Sequence, residues 1–308
     1  MKKMLFFIIC IFVFVLVAQD SWSVQIVYKE GEMYAGTVTT YSGAPANVGT
    51  SNETHGWATS GGANIGYNTK GVIFYGKASA NQAVGQTGNN WARFLLTTSA
   101  QSENGGSFAG FITESTARSG PNVGDMLKYE LKADPGEEGK RVQLSAAAIL
   151  DGTLNSDGRL YQNLNFIDGT AEIEFKFEVY DDPTEKAVIS FTYSKSITNT
   201  DSDPWSTGLT ELLAGLNIGN AVDSDHFMVG DSMYVYFEQT VRAIVYKDSF
   251  ACKANANLMQ STDDIITVAI SATTIHNPEP SSLILLGFGF LGLLIGVPGI
   301  KNKLRKDA

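Results

Sequence analysis

The sequence predicts an all-β protein, an antiparallel β-sandwich or jelly roll with one short helix, set between an N-terminal signal peptide and a C-terminal transmembrane helix. Three observations lead there. Apolar residues recur with period two through much of the chain, Asp-Gly and Asn-Gly clusters punctuate them, and an apolar run with basic residues beside it stands near each end.

The clearest strand covers 172–180, where Ile173, Phe175, Phe177 and Val179 alternate with Glu172, Glu174, Lys176 and Glu178. Such alternation gives one face to a core and one to water. Further strands are expected at 24–28, 72–77, 93–98, 108–113, 127–132, 142–149, 187–194, 233–247 and 265–275. Turns are expected at Asn104-Gly105-Gly106, Asp151-Gly152, Asp157-Gly158 and Asp168-Gly169. The one helix rests on Leu209, Leu212, Leu213 and Leu216, which fall at i, i+3, i+4 and i+7 with Gly219 just beyond. Residues 42–68 and 78–90 are rich in Gly, Asn, Ser, Thr and Ala and read as long surface loops. With no internal repeat and no long linker, 24–277 reads as a single extracellular domain, a size that one all-β core can fill.

Charge narrows the partners. The chain has 22 Lys+Arg and 32 Asp+Glu; without the six bases at the two ends, the body from Gln19 to Asn277 keeps 16 bases against 30 acids. An acidic body with no basic stripe argues against nucleic acid, whose phosphates need Lys and Arg, and against a peripheral hold on anionic lipid. Cys10 falls in the leader, so Cys252 is the only cysteine of the body. No intramolecular disulfide and no Cys-based zinc site can then form, and Cys252 reads as a small buried hydrophobe.

At the start, Met1-Lys2-Lys3 precedes an all-apolar run from Met4 to Val17. A short basic region and an apolar run too short to span comfortably predict a signal peptide over 1–23, cleaved after Ala18 or after Ser23. Toward the other end, Asn277-Pro278-Glu279-Pro280-Ser281-Ser282 precedes the apolar segment 283–297, LILLGFGFLGLLIGV. Pro298-Gly299-Ile300 and the cluster Lys301, Lys303, Arg305 and Lys306 follow. The prolines hold the chain extended, the apolar segment is about the shortest that crosses a bilayer, and the bases resist translocation. The body is therefore expected outside and the last residues inside.

At these residues the tail, 278–308, resembles the PEP-CTERM sorting signal of Gram-negative bacteria. The Pro278-Glu279-Pro280 triplet, the glycine-spotted apolar segment and the basic end occur in that order. Members of that family are recognised and cut by a membrane enzyme, an exosortase, on the way to the outer surface or extracellular matrix. The resemblance implies an exosortase-like partner here, a passing residence in the inner membrane and delivery to the cell surface or matrix. Pro298-Gly299-Ile300 departs from members that run straight into the basic cluster, without changing the orientation. Such a tail is attached to many unrelated bodies, so it gives an address and no chemistry.

The body offers few catalytic signals. Glu172-x-Glu174-x-Lys176 places a cation where the E-x-D-x-E run of laminarinase-type glycosidases has its last acid. Residues four apart on a strand also stand roughly 13 Å apart, against the roughly 5 Å between carboxyls that retaining hydrolysis needs. A solvated face stitched by Lys176 is the expected reading. Asp201-Ser202-Asp203 and Asp223-Ser224-Asp225, read as loops, are the weak calcium candidates, with the acidic stretch 151–158 as another. Alternating carboxylates suit a cation that takes six to eight oxygens, yet none of these segments completes the calcium-loop spacing, and Asp is a common turn residue. His55, His226 and His276 form no close pair, and Trp57, Trp91 and Trp205 read as sealing the core edge or stacking on sugars. The expectation is a non-catalytic surface or matrix protein, with extracellular polysaccharide as a candidate partner. A secreted carbohydrate-active enzyme and a calcium-dependent adhesion or carbohydrate-binding module are the alternatives.

Overall fold

The computed structural model describes residues 24–41, 44–53, 61–69, 72–84, 90–104, 110–133, 136–158, 169–198, 208–245, 252–258 and 268–275. Among them are fifteen strands and no helix: β1 Gln25–Glu30, β2 Met33–Tyr41, β3 Ala44–Glu53, β4 Gly61–Thr69, β5 Val72–Val84, β6 Trp91–Asn104, β7 Phe111–Arg118, β8 Leu127–Lys132, β9 Arg141–Gly158, β10 Thr170–Tyr180, β11 Ile189–Thr198, β12 Leu209–Met228, β13 Ser232–Val245, β14 Cys252–Leu258 and β15 Val268–Thr274. The signal peptide, the 283–297 segment, Asp201 and Asp203, and Trp57 and Trp205 lie outside the described residues.

The strands form two antiparallel sheets. In the first, β13 is the hub: one edge pairs with β10, which pairs with β11, and the other is shared by β8 and β7. From there β8 leads to β1, and β7 leads to β2 and β3. The second runs β12, β9, β14, β6, β5, β4, and β15 lies in the same lane as β14, between β9 and β6.

The inward faces of both sheets contribute to one hydrophobic core. The first sheet supplies large rings, and the second supplies alanines: Ala78, Ala92, Ala100, Ala148, Ala254, Ala256 and Ala272 are all fully buried. Large side chains set against small ones let two faces interlock at native density. Phe94 of β6 carries a large ring across from the second sheet, with ring centroids 6.2, 6.2 and 5.2 Å from Tyr129, Phe177 and Phe237 of the first. A buried polar seam also crosses between the sheets. Ser102 Oγ donates to the Ala243 carbonyl (2.8 Å) and lies 3.0 Å from Thr113 Oγ1, and Gln239 Nε2 donates to Thr98 Oγ1 (3.0 Å).

Four sequence expectations are corrected. The 209–216 segment is the start of strand β12. Its helical spacing arises from β-bulges: Ala214 and Gly215 together oppose Asp151, and Ile218 is an extra residue between the pairs of Asn217 and Gly219. The first bulge slips the alternation by one, so Leu213, which is buried, and Leu216, three residues on, both face the core. Leu212 points outward by ordinary alternation and Leu209 lies at the exposed start of the strand; they are 69% and 46% exposed. Gly215, at φ +58°, supplies the left-handed residue that such a bulge needs, and its N–H donates to Asp151 Oδ1 (2.6 Å). Within the expected loops 42–68 and 78–90, the described residues form β3, β4 and the second half of β5. Asp151-Gly152 lies inside β9, where Gly152 packs too closely on the Asn257 carbonyl to admit a Cβ. The 108–113 strand sits three residues later, as β7.

Candidate binding surfaces

The alternation of β10 turns its core residues inward and Glu172, Glu174, Lys176 and Glu178 outward. Antiparallel register then sets Arg242 of β13 directly between Glu172 of β10 and Glu114 of β7. The Arg242 Nε–H donates to Glu114 Oε2 at 2.6 Å, and Nη1 lies 3.0 Å from Glu174 Oε1 and 3.7 Å from Glu172 Oε2. These contacts raise the guanidinium pKa further although burial opposes them, so Arg242 is a permanent cation. Lys176 pairs with Glu178, at 2.8 Å. The outward acids of β10 are thus stitched by two cations, and the second comes from a strand far away in sequence.

Beside this network lies a band of tyrosines, each in contact with a charge. Tyr180 Oη donates to Glu178 Oε2 (2.7 Å), and partial burial together with that anion pushes its pKa up to about 12. Tyr236 donates to Glu238 and is raised in the same way. Lys176, Lys128 and Arg118 stand over the rings of Tyr236, Tyr234 and Tyr34 at 5.2, 5.7 and 4.4 Å. Arg118 lines a surface groove of about 230 Å³ with Tyr34, Gly36 and Glu114, and a second groove of about 550 Å³ is lined in part by Glu30, Asp125, Lys128 and Tyr234. The ring of Tyr34 covers Gly36, where any Cβ would strike it.

Glycoside cleavage by paired carboxyls needs an acid kept protonated by apolar surroundings and a second carboxyl across the scissile bond. On this face each acid of β10 meets a cation instead, on the outer side of an open sheet.

Asp223 and Asp225 lie within β12 rather than in a loop, in a third bulge where Ser224, Asp225 and His226 together oppose Gln143. The Asp223 carboxylate closes the bulge by accepting from the His226 backbone N–H (3.3 Å) and contacting its Nδ1 (2.6 Å). That hydrogen bond raises the His226 pKa; the ring's slight burial opposes it, and the charges of Asp223, Asp181 and Asp225 add to it. Asp225 faces Arg141 at 3.5 Å. The two carboxylates therefore serve different partners, and among the described residues no group of three or more His, Cys, Asp or Glu is placed to hold a metal ion. No helix among them is long and apolar enough to cross a membrane. Pro278, Glu279, Pro280, Lys301, Lys303, Arg305 and Lys306 lie outside the described residues.

Trp91 is half-buried at the start of β6, on the side opposite fully buried Ala92, and carries the Arg93 guanidinium 4.3 Å above its ring. It belongs to the outer face of the second sheet. Further along that face the side chains are mostly uncharged. Register aligns Thr210, Asn155, Asn255, Gln101 and Tyr75 in one row across β12, β9, β14, β6 and β5. The neighbouring row holds Thr153, Asn257, Ser99 and Lys77, and the Lys253–Glu103 pair (3.7 Å) borders the first row on its other side. Neither row was foreseen, because 151–158 read as an acidic turn and 252–258 has two alanines and a single large residue, Leu258, on its buried side.

Compared with known proteins, the chain matches no family model, no curated protein and no solved structure.

Proposed function

We propose that this chain is a non-catalytic exported protein whose two-sheet body, read as a β-sandwich, is delivered to the cell surface or extracellular matrix by a PEP-CTERM-like tail. The observation that carries the non-catalytic reading is the pairing on β10. Its outward acids, the best catalytic candidates in the sequence, are held by Arg242 and Lys176. The address rests on the sequence, through the Pro278-Glu279-Pro280 triplet, the 283–297 segment and the Lys301, Lys303, Arg305, Lys306 cluster. On this reading an exosortase-like enzyme meets the extended triplet at the outer side of the inner membrane, removes the tail and releases the body outward. Binding or bulk within a polymer layer is then the body's role.

Fractionation with intact-mass measurement, in a host carrying the cognate enzyme, tests the address. The expected product is a surface species lacking the tail, and alanines at Pro278, Glu279 and Pro280 should leave a larger species in the membrane. Wild-type protein that keeps Ala308 and stays in the inner membrane would overturn the sorting claim. Polysaccharide cleavage that disappears on Glu172→Gln or Glu174→Gln would overturn the non-catalytic one.

A further inference from the structure

The outer faces of the two sheets differ in kind. The first carries ion pairs and tyrosines tied to charges. The second carries the amide row of Asn155, Asn255 and Gln101, ending in Tyr75, which is 40% exposed. Strands lie about 4.8 Å apart, so the row from Thr210 to Tyr75 extends for roughly 19 Å across the sheet. Each amide offers both donors and an acceptor, and a hydroxyl is at once donor and acceptor, so a line of amides matches a line of hydroxyls. A tyrosine ring adds an apolar face with a polar tip, which suits the carbon face of a sugar ring. The lack of charge in this row is informative in a chain with ten more acids than bases. An ionic partner would find no counter-charges along it. The nearest charged positions are Lys77 in the next row and, in the row on the other side, the mutually engaged Lys253 and Glu103 with Asp157 at the adjoining register position.

We infer that this row is a binding site for an uncharged polysaccharide, lying across the strands with its hydroxyls on the amides and one ring on Tyr75. The inference rests on the proposed reading of the chain as an exported, non-catalytic protein and gives that protein its partner class.

The experiment uses the full-length protein in mild detergent on an array of neutral glycans (glucans, mannans and galactans) together with anionic polyuronates. The expected result is retention on one or more neutral glycans that persists up to about 0.5 M salt, since no ion pair is screened. Asn255→Ala combined with Gln101→Ala, and separately Tyr75→Ala, should each weaken it about tenfold or more. Lys176→Ala, on the other sheet, should leave it unchanged. Thermal melts establish that each variant folds, and the two independent changes guard against the loss of one. Retention confined to polyuronates, retention that falls with salt, no retention on any neutral glycan, or full retention by folded row variants overturns the proposal. Tail processing in the same variants is scored separately, so a failed sorting claim and a failed glycan site give different outcomes.

Discussion

Replacing Arg242 with Met should destabilise the body by about 2 kcal/mol. The guanidinium holds Glu114 at 2.6 Å and Glu174 at 3.0 Å, with Glu172 at 3.7 Å. Hydrogen bonds to charged groups contribute about 1.5–3 kcal/mol when buried, whereas exposed pairs contribute about 0–1. Arg242, Glu114 and Glu172 are each about 30% exposed and Glu174 is 57% exposed, which places one contact between those limits and leaves little for the others. Met keeps part of the aliphatic stem, so the loss is mainly electrostatic. For a body of this size, about 2 kcal/mol lowers the melting temperature by about 4–8 °C. Adding Glu114→Gln to Arg242→Met should recover part of the loss, because it removes an acid left without its cation. Thermal and urea melts at low and high salt provide the measurement, and the gap should narrow as salt rises. If Arg242→Met melts with the wild type at low salt, or above it, the network does not stabilise the sheet and the reasoning fails.

Other outcomes follow from the same packing. Leu213→Ala should cost about 2–3 kcal/mol and Leu212→Ala less than about 0.5, since only the first is buried; equal losses would favour a helix. Phe94→Ala, which removes the ring between Tyr129, Phe177 and Phe237, should cost about 3–5 kcal/mol by urea titration, and a loss under about 1 would contradict the shared core. His226 has a raised pKa, so its contribution is full below the ordinary histidine value and is lost as pH rises through the folded one. The melting-temperature gap between wild type and His226→Asn should accordingly close with rising pH, and a gap that widens would sink the assignment. Terminal sequencing of exported protein should begin at Gln19 or Val24.

Strands whose inward residues are large were legible in the sequence. β8 occupies the expected 127–132, and β10 has the face assignment that Ile173, Phe175, Phe177 and Val179 announce. The second sheet was harder because alanine contributes little to an apolar alternation: 252–258 buries Ala254, Ala256 and Leu258, and the strand went unseen. β2 was hidden for a related reason, since its buried positions include Thr37 and Thr39. β12 misled because bulges change the phase of the pattern, and a pattern read at a single period cannot follow that change. The acidic half of the candidate site, Glu172 to Glu178, was visible along one strand. Its partner Arg242 was not, because only strand pairing brings position 242 beside 172 and 114.

The lane shared by β14 and β15 has a mechanical consequence. The chain leaves the second sheet toward its tail through β15, whose residues pair with β6 on one side and β9 on the other. Under the proposed reading, a still-attached tail passes its load to the body through β15, and a load along that strand puts its hydrogen bonds in shear. Its cross-strand hydrogen bonds would then bear the load together, sliding against two neighbours at once, instead of opening one after another as they would at a peeled sheet edge. A body held at the membrane by one end and at a polymer by its amide row would therefore resist being drawn apart at the strand that precedes its anchor.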